Sequence, residues 1–230
     1  MKKLLIAQSF LFLTAACVTQ RSAEVKPAVN RTVTDAPVVF KDAKLEAVVR
    51  AVIEKPQGDV TRKEIASLET LKANNAGISE LTGLEYATNL TDLALYNNKV
   101  STLGPLATLT KLTNLSLLDN QITDLAPLAE LHELKWLALN DNQVTDVAPL
   151  AGLTSLTKLY LGNNKISTIT PLTDLTELTR LYLHQNQITD ASPLAKLKGL
   201  KVLTLGGNLI NESQKIMLKE ALPDCIISLD

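Results

Sequence analysis

The chain has 230 residues, with 23 basic against 24 acidic side chains and a net charge of −1, which argues against a nucleic-acid binder that relies on a broad basic face. Apolar residues make up 46% but aromatics only 3%, so a sizeable core is available and it must be aliphatic. Two cysteines and two histidines leave little material for a disulfide framework or a zinc site.

In chain order, Met1, Lys2 and Lys3 precede an apolar run from Leu4 that closes on Leu13-Thr14-Ala15-Ala16-Cys17. A basic start, a short apolar run and small residues form an export signal over residues 1–16. The run is too short for a comfortable bilayer span, and no later stretch reaches the roughly 18 apolar residues a span needs. Its last five residues resemble a bacterial lipobox, with Thr14 a departure from the usual aliphatic. That resemblance implies lipidation of Cys17, palmitate-type acyl chains and a membrane-held lipoprotein. Each buried methylene of such chains contributes about 0.8 kcal/mol. Ordinary cleavage after Ala16, giving a secreted protein, is the alternative. An acylated Cys17 would leave Cys225 without an intramolecular disulfide partner. Residues 17–40 are polar, mixed and without period, which reads as a lipidated flexible tether. The expected location is the bacterial cell envelope. Val18 after the cysteine resembles the outer-membrane sorting pattern, should the cell be Gram-negative.

Residues 41–67 read as a helical cap. Between Asp42 and Lys55, Leu45, Val48, Val49 and Val52 fall at i, i+3, i+4 and i+7, an amphipathic helix. Thr61-Arg62-Lys63-Glu64 has the form of a capping box for a second short helix.

Residues 68–210 repeat with a period of 22. Leu90, Leu112, Leu134, Leu156, Leu178 and Leu200 open the units, and Leu93, Leu115, Leu137, Leu159, Leu181 and Leu203 follow three residues later. Two further on come Leu95, Leu117, Leu139, Leu161, Leu183 and Leu205, then Asn98, Asn120, Asn142, Asn164, Asn186 and Asn208. Five of the nine prolines keep the same period, each followed by leucine. In such a unit the second and third leucines alternate on a short strand and point one way. The asparagine amide serves backbone groups left unpaired in the bend. The following aliphatic (Val100, Ile122, Val144, Ile166, Ile188) re-enters the core. Proline-leucine then starts a return too short for a full helix, 3₁₀ or irregular. The first unit departs: Ala73 replaces leucine, Ala76 asparagine and Gly83 proline. Residues 211–230 read as a second cap, with a helix over Ser213 to Ala221 stopped by Pro223. A strand over Cys225 to Leu229 would cover the open sheet edge. Cys225 reads as a small buried hydrophobe rather than a reactive thiol.

The pattern from Asp42 onward resembles leucine-rich repeat proteins of the 22-residue, internalin-like bacterial class. The resemblance implies an α/β solenoid with short parallel strands on a concave face, irregular or 3₁₀ convex returns, a helical N-cap and a helix–strand C-cap. It also implies binding through the concave face, without naming a ligand.

Strand alternation sorts the variable positions of that face into three stripes. The first holds Trp136, Lys158 and Arg180, the middle one Tyr160 and Tyr182, the third Tyr96 and His184. Four of the six aromatics after residue 17 therefore share one face. Tyrosine, tryptophan and arginine dominate interface energetics. Tyr96, Trp136, Lys158, Tyr160, Arg180, Tyr182 and His184 are accordingly the expected contacts for a protein, or a glycan, bound by a monomer. Two alternatives stay open. Aromatic ladders also stabilise sheets without a ligand, and the chain could be a passive envelope scaffold. Asp119 and Asp141 read as solvated turn residues, or as an acidic rim. No constellation for catalysis, no cofactor and no metal set is expected. His132 falls near the convex side and His184 on the concave one.

Overall fold

A computed structural model describes residues 35–229. The export signal, Cys17 and most of the expected tether lie outside the described residues.

Helix α1 spans Ala43–Val52. Its N-cap, Asp42, accepts through Oδ1 from the N–H groups of Lys44 at 2.8 Å and Leu45 at 3.3 Å. Leu45 and Val49 are fully buried. Val52, placed on the buried stripe by its spacing, is instead 45% exposed. The helix stops there because Glu54 turns left-handed at φ 54°, and Ile53, not Val52, packs on the core. Helix α2, Arg62–Ala66, starts with the expected capping box. Thr61 Oγ1 accepts from Glu64 N, and the Glu64 carboxylate accepts from Thr61 N at 2.7 Å.

The tether boundary drawn at residue 40 is corrected. Val38 N donates to Val60 O at 2.7 Å, and Arg62 N donates to Ala36 O at 3.0 Å. Val38 is buried and Phe40 packs against the core. The chain from Ala36 onward is thus part of the cap. It docks on Gly83, which sits at φ 108°, and a Cβ there would come within 2.6 Å of the Phe40 ring. This accounts for the glycine where the other repeats carry proline.

Eight three-residue strands follow: β1 Thr70–Lys72, β2 Asp92–Ala94, β3 Asn114–Ser116, β4 Trp136–Ala138, β5 Lys158–Tyr160, β6 Arg180–Tyr182, β7 Val202–Thr204 and β8 Ile226–Ser228. They form one parallel sheet in sequential order. The repeat period sets the register residue for residue, as in Leu137↔Leu159 and Leu159↔Leu181. Single 3₁₀ turns make the returns, five of them with proline in the first turn, where its missing N–H costs nothing.

The asparagine ladder closes the bends. Asn142 Nδ2 donates to the carbonyls of Leu117, Leu139 and Asn140 at 2.9–3.1 Å, while its Oδ1 accepts from Ile122 N at 3.0 Å. Asn98, Asn120, Asn164 and Asn186 repeat this set. The residue before each asparagine is left-handed: Asn97, Asp119, Asp141, Asn163 and Gln185 have φ of 51–56°. Asparagine and aspartate tolerate that region best, so Asp119 and Asp141 occupy turn positions. Asp141 Oδ1 also accepts from Asn163 Nδ2 at 2.7 Å.

Helix α3, Glu212–Ala221, is capped by Asn211 and buries Leu218. It leads into β8, which pairs with β7 and covers that edge. Cys225 is partly buried against the core. Burial pushes its thiol pKa up, which leaves it a poor nucleophile.

Candidate binding face

On strands β1 to β7 the middle leucine is buried and its two neighbours point to the other side of the sheet. The register then lines these neighbours up across strands: Trp136↔Lys158↔Arg180 and Ala138↔Tyr160↔Tyr182. The fixed strand spacing brings the two tyrosine rings into a stack, centroids 4.6 Å apart and planes 23° from parallel. Trp136 meets Tyr160 edge to face, at 6.2 Å and 74°. Two further aromatics, Phe40 and Tyr86, serve the cap. Phe40 lies on Gly83, and the Arg62 guanidinium sits 4.3 Å above the Tyr86 ring.

His184 joins the cluster from the third stripe. Its Nδ1 lies 3.1 Å from Thr204 Oγ1. The ring occupies space that a Cβ at Gly162 would fill. Asn140 holds that glycine in place by accepting from Gly162 N at 2.8 Å. Together Leu118, Trp136, Ala138, Asn140, Tyr160, Tyr182 and His184 line a depression of about 490 Å³. A smaller hollow of about 110 Å³ lies on the other side of Trp136, floored by Thr70, Lys72, Asp92 and Asn114.

The structure therefore brings together Trp136, Tyr160, Tyr182 and His184. Lys158 and Arg180 stand beside them on the first stripe, outside the lining of the depression. Tyr96, on the strand end two repeats before Trp136, is 39% exposed and stands apart from the cluster. Leu118, Asn140 and Gly162 were missed as contributors. Their signal was present, since each occupies a stripe position, but a leucine, an asparagine and a glycine carry no mark of recognition by themselves.

His132 is on a return, 3.3 Å from the Gly152 carbonyl and 3.4 Å from the Glu130 carboxylate. Among the described residues, no group of three or more histidine, cysteine or acidic side chains could hold a metal ion. No helix among them is long and apolar enough to cross a membrane.

A family model for leucine-rich repeats (two copies) matches residues 88–130, 132–174 and 176–216. Among solved structures, an internalin (inlF) of Listeria monocytogenes shares 34% identity at a TM-score of 0.78, covering 84% of this chain and 58% of that one. Internalin C2 of the same species shares 32% at 0.66, covering 86% of this chain and 99% of its own. A leucine-rich repeat protein of Leptospira interrogans shares 32% at 0.65, covering 73% and 45% respectively. No curated protein sequence matches the chain. The matched repeats, the sequential parallel sheet and the internalin structures lead to one conclusion: the chain belongs to the leucine-rich repeat family, as a bacterial internalin-like member.

Proposed function

We propose that the chain is an envelope-anchored recognition module that binds a protein through the exposed face of its sheet, with the cluster of Trp136, Tyr160, Tyr182 and His184 at the centre of the contact. One observation carries this reading: three of the chain's few aromatic rings are gathered on a surface that the aliphatic core does not need. The core beneath them is built from leucine, isoleucine and valine, together with Ala191, so the rings stand on a core that is already aliphatic. Their rigid placement on strands keeps the entropy lost on binding small. The family and the fold support a binding module of this kind. Cys17 is the proposed acylation site, which would hold the module at the bacterial envelope.

The test is capture from envelope and host-surface extracts by the full chain. The comparison variant is Trp136→Ala/Tyr160→Ala/Tyr182→Ala, checked for folding by circular dichroism. The wild type should retain a partner that the triple variant loses. Equal capture by both would move the contact off this face, and no capture by either would favour a passive scaffold. For the anchor, detergent-phase partitioning should fall for Cys17→Ser. Unchanged partitioning would remove the lipid from the account.

A further inference from the structure

The first stripe carries an unusual charge arrangement. It runs Asp92, Asn114, Trp136, Lys158, Arg180 from β2 to β6, and Lys158 and Arg180 are direct register partners on neighbouring strands. Like charges placed directly opposite one another destabilise a sheet. Neither cation has an acidic partner among the described residues, where ion pairs are found on α1, between α1's end and α2, on a return and on α3, among other places. Asp92 does not relieve them. Its carboxylate is held by Asn114 Nδ2 at 2.6 Å and Thr91 Oγ1 at 2.8 Å, three strands away, or about 14 Å at the usual strand spacing.

The stacked tyrosine pair presents edges of the same electrostatic sign as the cations. Tyr160 and Tyr182 stack along the direction in which strands succeed one another, so their planes stand upright on the sheet. Each covers one face of the other, and Trp136 crowds the remaining side of Tyr160. What points outward is ring edge and phenolic hydroxyl. An aromatic ring is negative on its faces and positive at its edge. A cationic ligand needs a free ring face, and a sugar ring stacks on one too, while Tyr160, flanked by Trp136 and Tyr182, turns its edge out. Ring edges, hydroxyl donors, Lys158 and Arg180 together make a surface complementary to anions beside an apolar hollow.

We infer that this face takes an acidic protein segment: a carboxylate side chain bridges Lys158 and Arg180, and a neighbouring apolar side chain enters the depression lined by Trp136, Tyr160, Tyr182 and His184. The inference rests on the proposed use of this face and adds the chemistry of the occupant. The unpaired cations then have a purpose that compensates their mutual repulsion, because they are neutralised only in the complex.

The test uses the full chain and a displayed library of random peptides of about a dozen residues, with a sulfated oligosaccharide of heparin type as a second probe. The chain has a single tryptophan, so Trp136 emission reports binding at the site. Selected peptides should be enriched in aspartate and glutamate next to an apolar residue. Their affinity should fall about tenfold or more in Lys158→Glu/Arg180→Glu and weaken with salt. Lys158→Arg should bind like the wild type. Selected peptides that need Tyr160 and Tyr182 but show no acidic bias would overturn the inference and leave the binding face standing. Peptides that bind regardless of both tyrosines would remove the face as well. Oligosaccharide binding that depends on these residues, without peptide binding, would overturn the choice of a protein segment.

Discussion

Asn142 shows how much one side chain carries in this fold. Its amide satisfies three carbonyls and one N–H in a bend that is closed to water. Asn142→Ala removes all four bonds and strands their partners, so it should cost about 2–4 kcal/mol, read as a lower urea midpoint at constant slope. Asp42 has a comparable role at the cap. Its Oδ2 accepts from Ser79 N at 2.7 Å and Glu80 N at 3.3 Å while Oδ1 caps α1. Burial alone would raise its pKa, but the four backbone N–H groups outweigh burial and hold the carboxyl at about 2, below its ordinary 3.8. A lowered folded pKa stabilises above the unfolded value, and the contribution is lost as pH falls from about 3.8 towards 2. The contribution is about 2 kcal/mol. Thermal melts from pH 5 to 2.5 should therefore lose less stability in Asp42→Asn than in wild type. Glu64, which Lys55 and Thr61 hold at about 2, keeps its share of the acid sensitivity in both. The asparagine ladder is plain in the sequence because it keeps the period. The reach of Asp42 to Ser79 is not, because nothing local marks a contact 37 residues away.

At the scale of the element, the strands and returns were legible and the ends of the domain were less so. A 22-residue period fixes strand, bend and return together, since each unit buries its leucines only against the next. The segment from Ala36 to Phe40 has no period and resembles a tether, yet it docks on the cap through partners set by the fold. Gly83→Ala tests that docking. Its left-handed φ and the Phe40 ring both exclude a Cβ, so the variant should lose about 1–3 kcal/mol. The site divides in the same way. Trp136, Tyr160, Tyr182 and His184 were readable because alternation sorts a strand's faces. The exclusion of Lys158, Arg180 and Tyr96 from the depression was not, since it depends on how side chains lean across the sheet. Gly162 escaped notice because its contribution is space. Gly162→Ala should displace the His184 imidazole, visible as a loss of its hydrogen bond to Thr204 in histidine NMR spectra, with the leucine core unchanged.

The described residues form a stack closed at both ends, with α1, α2 and the 36–40 segment before β1, and α3 with β8 after β7. Removing residues 223–229 should bare the β7 edge and promote self-association, measurable by light scattering. Between the caps one hydrophobic core runs without interruption. The sheet face opposite that core is therefore free to vary without threatening the fold, and recognition chemistry can be written on it. The measurement that tests this most directly sets stability against affinity for Tyr160→Ala/Tyr182→Ala, using urea unfolding and equilibrium binding of the captured partner. The account predicts an affinity loss of about tenfold or more with an unfolding midpoint close to that of the wild type. An unchanged affinity with a clearly lowered midpoint would contradict it, and would make the stacked rings a ladder that serves only the sheet.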